Sequence, residues 1–388
     1  MEISACVKYV GVNDHQVDLF EGQYKVPNGM SYNSYVILGD KIAVMDTVDG
    51  FFTEEWLNNV EQVLGGKMPD YLVIQHMEPD HSASIPAFLK KYPKATVVST
   101  AKGFQFMEQF FPEFFAGQGL PAEQRIVAAN DGVLELGQHS LHFVYAPMVH
   151  WPEVMMTYEA TEKILFAADG FGKFGALDVE EEWANEARRY YIGIVGKYGP
   201  QVQAVLKKAA GLDIQTICSL HGPVLKENLG FYLEKYDKWS SYQPEESGVV
   251  IAYASVYGNT RNAAEYLADV LQEKGQKTVL YDLARCDKAK AVADAFRYDR
   301  LVLAGITYNG DLFPCMRSFI EGLTERNYQN RKVAIIENGT WAPMAGKLIL
   351  GMFEKSKNLT FTETKVSIKS AMNAQNKEEI GKLAEELS

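Results

Sequence analysis

His76, Glu78, Asp80 and His81 fall within six residues, His76-Met77-Glu78-Pro79-Asp80-His81, directly after the apolar run Tyr71–Gln75. Two imidazoles and two carboxylates so close together are the donors of a metal site. Residues 76, 78 and 80 alternate, so in an extended segment their side chains leave one side. A strand end opening into a loop is also where α/β proteins place ligands. The plain alternative is a polar loop, and three further positions argue against it. His150 ends the passage Val144-Tyr145-Ala146-Pro147-Met148-Val149-His150; Asp169 follows Ile164-Leu165-Phe166-Ala167-Ala168; His221 follows Thr216-Ile217-Cys218-Ser219-Leu220. Each is a ligand-type residue at the exit of an apolar strand, where a loop can converge on the first motif. The other histidines, His15, His139 and His142, carry the bland reading: His142 shares a strand face with Val144, and His15 and His139 sit in polar surroundings. Residues 222–388 contain no histidine, which confines imidazole chemistry to the first part of the chain.

The elements that must position these groups divide at a seam. A chain of 388 residues predicts two domains at roughly 100–200 residues each. Ser241-Tyr242-Gln243-Pro244-Glu245-Glu246-Ser247-Gly248 is polar and separates a Tyr-rich helical stretch from an apolar strand, which predicts domains 1–245 and 246–388. Beyond it, strand-like runs Val249–Ala254, Thr278–Asp282, Leu301–Gly305, Val333–Glu337 and Thr362–Ser367 alternate with helix-like runs Asn262–Lys274, Pro314–Arg326 and Ala345–Lys357. That alternation predicts a doubly wound parallel sheet. Before it, strand-like pieces Tyr35–Leu38, Lys41–Asp46, Tyr71–Gln75 and Thr96–Ser99, a helix over Thr53–Leu64, and a second block at Leu141–Tyr145, Val154–Tyr158 and Lys163–Ala167 give mixed α/β with a possible two-sheet core. Net charge of −12 and a pI near 5.2 exclude a nucleic-acid footprint. With no long apolar run and no basic-then-apolar leader, a cytoplasmic protein without a membrane span is expected. Cys6, Cys218, Cys286 and Cys315 form no C-x-x-C pair, which argues against a disulfide framework or a rubredoxin-type iron site and for bystander thiols.

Three loops of the second domain carry a different chemistry. Strand Val249–Ala254 runs into Ser255-Val256-Tyr257-Gly258-Asn259-Thr260 and then a helix, an arrangement whose backbone N–H groups can cradle an anion. The loop lacks the G-K-[ST] ending of a nucleotide triphosphate site. Strand Leu301–Gly305 exits into Ile306-Thr307-Tyr308-Asn309-Gly310, and Val333–Glu337 into Asn338-Gly339-Thr340-Trp341-Ala342-Pro343. All three lie at carboxyl ends of strands, where this fold binds its ligand. A core position for Trp341 is the alternative, but Gly-Thr-Trp-Ala-Pro makes a poor core segment.

The order of metal-type residues resembles the metallo-β-lactamase fold, in which a strand ends in H-x-H-x-D-H and is followed by a His, an Asp after a strand, and a last His. With Glu78 in place of the second His, the pattern resembles the flavodiiron protein (A-type flavoprotein) family, and specifically its short class without a fused rubredoxin or reductase module. The loop 255–260 likewise resembles the flavodoxin phosphate loop, which binds FMN. The resemblance implies an N-terminal metallo-β-lactamase-like αββα sandwich and a C-terminal flavodoxin-like doubly wound parallel sheet. It implies two non-haem iron ions: His76, Glu78 and His150 on one, Asp80 and His221 on the other, Asp169 between them, and His81 open, since family members differ there. Three carboxylates suit a metal pair cycling between divalent and trivalent states better than the two of the zinc version. Tyr24 and Tyr32 are candidates for the pocket. FMN contacts are expected from Ser255, Val256, Tyr257, Gly258, Asn259, Thr260, Thr307, Tyr308, Asn309, Gly310, Asn338, Gly339 and Trp341, with Tyr308 and Trp341 flanking the ring. Ile306 and Asp311 depart from the Pro and Gly common in the family, which bears on loop stiffness. The implied activity is reduction of dioxygen to water, of nitric oxide to nitrous oxide, or both. The implied electron donor is rubredoxin or a reduced deazaflavin coenzyme, and the implied assembly a head-to-tail homodimer or a dimer of dimers. The rival readings are a dizinc hydrolase with an appended flavodoxin-like domain, and an electron carrier in which only the second domain works.

Overall fold

Aliphatic and β-branched runs of three to six residues, closed off by turn residues, form the strands of the first unit. The structure is a computed structural model that describes residues 3–116 and 120–388. Its chain falls into two compact units, Met1–Tyr191 with Pro200–Glu234, and Ile192–Gly199 with Lys235–Ser388. In the first unit one sheet has the order Val7–Tyr9, Tyr35–Ile37, Ala43–Met45, Tyr71–Val73, Thr96–Ser99, Arg125–Val127. The other has the order Val133–Glu135, Ser140–Tyr145, Met155–Glu159, Ile164–Phe166, Thr216–Cys218. Val7, Ile37, Met45, Val73 and Val98 of the first sheet share one core with Leu141, Phe143, Met155, Phe166 and Cys218 of the second. All residues of Tyr35–Ile37, Ala43–Met45 and Tyr71–Val73 are buried, so the outer face is covered too. The helix Thr53–Leu64 turns Trp56, Val60 and Leu64 inward, and Gly65 (φ +56°) ends it in the left-handed region. This is the expected two-sheet sandwich with helices outside.

Strands Tyr71–Val73, Ile164–Phe166 and Thr216–Cys218 each stop three residues short of His76, Asp169 and His221. The register between Ile164–Phe166 and Thr216–Cys218 is parallel, so their exits lie at one end of the sheet. One expectation needs correction. The motif is extended only as far as Glu78, because Pro79–Ser82 is a single helical turn. Proline suits the first helical position, and its fixed φ turns the chain there. Asp80 and His81 are therefore redirected, and the alternation of 76, 78 and 80 does not place three side chains on one side.

In the second unit the parallel order is Thr278–Asp282, Glu246–Tyr253, Tyr298–Tyr308, Arg331–Asn338, Leu359–Phe361, the 2-1-3-4-5 order of flavodoxin-like sheets. The single strand expected over Thr362–Ser367 is instead two, Leu359–Phe361 and Val366–Ile368. Between them the Glu386 carboxylate accepts the N–H groups of Glu363 (2.8 Å) and Thr364 (2.9 Å), so a side chain replaces ladder partners. The segments 192–199 and 235–245 also belong to this unit. Tyr242 Oη donates to Gly196 O at 3.0 Å, Trp239 Nε1 to Glu245 Oε1 at 2.6 Å, and Arg331 Nη1 to Tyr242 O at 2.7 Å. Among the described residues no helix is long and apolar enough to cross a membrane.

Asn33, fully buried, donates to Ser219 O (2.9 Å) and Gly222 O (2.8 Å) and so clamps the turn that carries His221. Asn33→Ala leaves the buried Gly222 carbonyl without its donor, while Ser219 O keeps Tyr35 Oη (2.7 Å), and is expected to lower unfolding free energy by about 1–3 kcal/mol. Denaturant midpoints check this; a loss below ~0.5 kcal/mol would contradict the clamp.

Candidate metal centre and ligand cradle

The loops leaving these strands bring all seven expected metal-type residues into two adjoining groups. His76, Glu78, His150 and Asp169 form one, and Asp80, His81 and His221 the other. In the first, Glu78 Oε2 lies 3.2 Å from His76 Nε2 and 3.0 Å from His150 Nε2. Asp169 faces both groups. Its Oδ2 is 3.3 Å from His76 Nε2 and 3.2 Å from His150 Nε2, while Oδ1 is 3.3 Å from His81 Nε2 and 3.9 Å from His221 Nε2. Asp80 Oδ2 is 3.3 Å from both His81 and His221, whose Nε2 atoms stand 3.1 Å apart. His81 thus stands in the second group on equal terms with Asp80 and His221.

The donor set fits a pair of metal ions. Neither oxygen of Asp80 or Asp169 takes a hydrogen bond from a described residue, although all four are buried. Orphaned buried carboxylate oxygens are costly unless a cation satisfies them. Two Nε2 atoms in contact likewise have at most one proton to share, which suits a common positive centre. Carboxylate oxygen with imidazole nitrogen is the donor chemistry of non-haem iron.

Residues around these donors set which ring nitrogen is free. His76 Nδ1 donates to Glu153 Oε1 at 2.8 Å and His221 Nδ1 to Ser31 O at 2.7 Å, leaving Nε2 of each to the site. Gln75 donates from its backbone (2.7 Å) and side chain (2.8 Å) to Asp46, fixing the chain just before His76. Glu153, Ser31 and Asp46 were not visible from donor spacing. Glu153 lies only one residue past the His150-Trp151-Pro152 passage, and a carboxylate so near a candidate histidine is a usable signal. Burial alone would push His76, His150 and His221 down. The Asp169 carboxylate, with Glu78 and Asp80, outweighs it, carrying His150 to about 9 and the other two upward. Burial would raise Glu78 and Asp169, but the facing imidazoles hold both below the usual carboxylate range.

Tyr32 packs its ring 6.0 Å from His221, with its hydroxyl donated to Asp14 Oδ2 at 3.2 Å. Tyr24 packs instead on Phe174 (5.4 Å), one layer farther out. The aromatic wall at His221 is completed by Phe20 and Tyr190, each 5.4 Å from it, and Trp151 stands 5.3 Å from His76. His15, exposed, meets Asp178; His142 is half-buried in its strand; His139, expected in polar surroundings, is instead buried.

In the second unit the three loops surround a cavity of about 430 Å³, within the roughly 300–1,000 Å³ of small-molecule pockets. Ser255, Val256, Tyr257, Asn259, Thr260, Thr307, Tyr308, Asn309, Gly310, Asn338, Gly339 and Trp341 all line it. Gly258 does not; it shapes the loop at φ +89°, just before the helix Asn259–Glu273. The first three N–H groups of that helix, at 259–261, have no acceptor among the described residues, as an anion cradle requires. Asn338 spends its amide on the protein, donating to Ser370 O (2.9 Å) and Thr260 Oγ1 (3.3 Å) and accepting from Ser370 N. Thr307 Oγ1 accepts the N–H groups of Met344 (2.8 Å) and Ala345 (3.1 Å). Trp341 and Tyr257 are 82% and 91% exposed, so the aromatic faces of the cradle are open rather than core. Ile306, Thr340, Ala342, Met344 and Ser370 also line it. Ser370 was missed because strand Val366–Ile368 ends later than its sequence pattern suggests.

This combination defines a metallo-β-lactamase-like domain followed by a flavodoxin domain. The sequence model of the ODP family beta lactamase matches residues 30–222, and that of the flavodoxin domain residues 250–363. Diflavin flavoprotein A 1 of Synechocystis is 33% identical over 282 residues, 71% of this chain and 48% of that protein. The chain thus spans about half that relative's length. An anaerobic nitric oxide reductase flavorubredoxin of Vibrio vulnificus is 28% identical, covering 86% of this chain and 69% of its own. The crystal structure of the flavodiiron protein from Giardia intestinalis matches with a TM-score of 0.92 at 25% identity, over 100% of this chain and 95% of that one. The chain belongs to the flavodiiron protein family.

Two outcomes test the site. Glu153→Gln is expected to weaken metal retention by about 10–100-fold, because the carboxylate behind His76 becomes a neutral, weaker acceptor; chelator competition measures it, and unchanged retention would refute the role. In metal-free protein His150 holds its proton below about 9, so a metal ion entering at neutral pH must displace it. Metal affinity is therefore expected to rise with pH from 6 towards 9, by up to about tenfold per unit for each proton displaced. Anaerobic ferrous titrations read this, and an affinity flat in pH would contradict it.

Proposed function

We propose that the protein is an oxidoreductase that reduces dioxygen to water, nitric oxide to nitrous oxide, or both, with two irons in the first unit and FMN in the second. The observation that carries the reading is Asp169: one buried carboxylate with each oxygen facing a separate group of imidazoles and carboxylates, and neither oxygen hydrogen-bonded among the described residues. Membership of the flavodiiron family supports it. When bound, an iron pair and reduced FMN supply the electrons that the diatomic substrate takes up.

The chain's own residues have definable tasks in that reaction. His76, Glu78 and His150 with Asp169 are assigned to one metal, and Asp80, His81 and His221 with Asp169 to the other. Glu153 and Ser31 keep His76 and His221 in the tautomer whose Nε2 lone pair is free. Phe20, Tyr32 and Tyr190 around His221, and Trp151 beside His76, exclude water from the histidine edges. In the second unit the N–H groups at 259–261 suit the single phosphate of FMN, and Tyr308 and Trp341 suit the faces of its ring. An external carrier, rubredoxin or a reduced deazaflavin coenzyme, is the proposed donor. A head-to-tail homodimer, or a dimer of dimers, is the proposed assembly. The hydrolase alternative is disfavoured by Glu78, which adds a third carboxylate, and by the presence of a complete flavin-type cradle.

Asp169→Ala is expected to lower gas turnover by at least about a hundredfold while leaving FMN content and donor-driven flavin reduction intact. Anaerobic stopped flow of the reduced protein against each gas separately reads both. Unchanged turnover would favour the electron-carrier reading. About two zincs and no flavin in anaerobically purified protein would favour the hydrolase.

A further inference from the structure

A second donor cluster lies elsewhere in the first unit, one of its members at the start of strand Ile164–Phe166, which runs on to Asp169. Cys6 precedes strand Val7–Tyr9, His139 precedes strand Ser140–Tyr145, and Glu162 lies in the turn between strands Met155–Glu159 and Ile164–Phe166. A thiol sulfur, a ring nitrogen and a carboxylate oxygen from these three lie within 4.8 Å of one another. We propose that Cys6, His139 and Glu162 bind a divalent zinc-type cation, separate from the metal pair.

Three observations carry this. First, His139 is 97% buried, and Nδ1 donates to Glu159 Oε1 at 3.0 Å. That bond places the ring's lone pair on Nε2, where no hydrogen bond reaches it among the described residues. A carboxylate behind an imidazole is how proteins orient a metal-binding histidine. Second, Glu159 is already satisfied, because Thr161 N (3.0 Å) and Glu162 N (2.6 Å) also donate to it. Glu162 is only partly so: its Oε2 is buried with no hydrogen bond among the described residues, and the Cys6 thiol stands against the same carboxylate. Third, the three segments are held in place. Leu38 N donates to Cys6 O (2.8 Å), Leu136 N to His139 O (2.8 Å), and Ala160 N to Ser140 O (3.1 Å). Gly39 lets the His139 ring close in, since a Cβ there would stand 3.1 Å from Cδ2.

The chemistry matches the cation. Zinc takes thiolate, imidazole and carboxylate donors at about 2.0–2.3 Å, which spaces tetrahedral donors roughly 3.4–3.8 Å apart, compatible with three atoms that lie within 4.8 Å of one another. A thiolate and a carboxylate together balance a divalent charge at a site that is buried at His139 and half-buried at Cys6 and Glu162. The nearby ammonium groups are engaged elsewhere: Lys8 Nζ donates to Ser4 O (3.0 Å) and Lys226 Nζ to Ile3 O (2.7 Å). Three protein donors leave the fourth position to water.

Cobalt(II) is the probe, added anaerobically to the full-length protein with its iron and FMN in place. A thiolate-to-cobalt charge-transfer band saturating at one equivalent, and removed by added zinc, is expected. The metal pair holds no cysteine and cannot produce it. Cys6→Ser should abolish the band, and Glu159→Gln should weaken cobalt binding by about 10–100-fold. FMN content checks that each variant is folded, and Glu162→Gln provides a second variant that keeps the thiol. Cobalt binding without a thiolate band, or a band unchanged in Cys6→Ser, would overturn the proposal.

Discussion

A carboxylate shut away from water, with an imidazole edge against each of its oxygens, sets the terms for the first unit. Asp169 is 1% exposed, and among the described residues His76, His150, His81 and His221 are the groups within reach to neutralise it. A buried anion without compensation costs several kcal/mol. In the metal-free protein His76, His150 and His221, whose pKa values are raised by the facing carboxylates, supply that compensation by holding protons; bound cations supply it instead when the site is loaded. Either way, four histidines from three segments must converge on one residue. The strands of both sheets are short because they must end where those loops begin.

The rest of the site follows from keeping that convergence in register. Asn33 clamps the His221 turn, Asp46 holds Gln75 beside His76, and Glu153 holds the His76 ring itself. Asn33 and Asp46 spend their side-chain atoms on the protein itself, yet each fixes a segment that carries a metal-type histidine. The second unit solves its problem differently. Its cradle is built from backbone N–H groups at a helix start and from exposed aromatic faces, so little buried charge is involved. Asn338 and Thr307 serve there as braces between loops.

Much of this was legible because it depends on local pattern. The helix Thr53–Leu64 and the strand Thr96–Ser99 have the bounds their residue types predict. The metal-type residues were legible because each stands at a strand exit. The geometry inside the motif was not, since Pro79 starts a helical turn that alternation cannot reveal. The break at Glu363–Lys365 was hidden for a related reason: its backbone partner is Glu386, a side chain more than twenty residues away in sequence. His139 shows the same limit, because a histidine between Gln138 and Ser140 reads as polar surface until the fold buries it against Glu159.

The sequence by itself determined the alternation of strands and helices, the seven metal-type residues, and the three loops of the cradle. These are carried by residue type and by neighbours within a few positions, where propensity and spacing act. Only the tertiary structure decided how the seven divide. It set Asp169 between the two groups, placed His81 with Asp80 and His221, and drew Cys6, His139 and Glu162 together from segments far apart in the chain. Such groupings rest on which loops the sheet register brings side by side, and register is a property of the packed core rather than of any one segment.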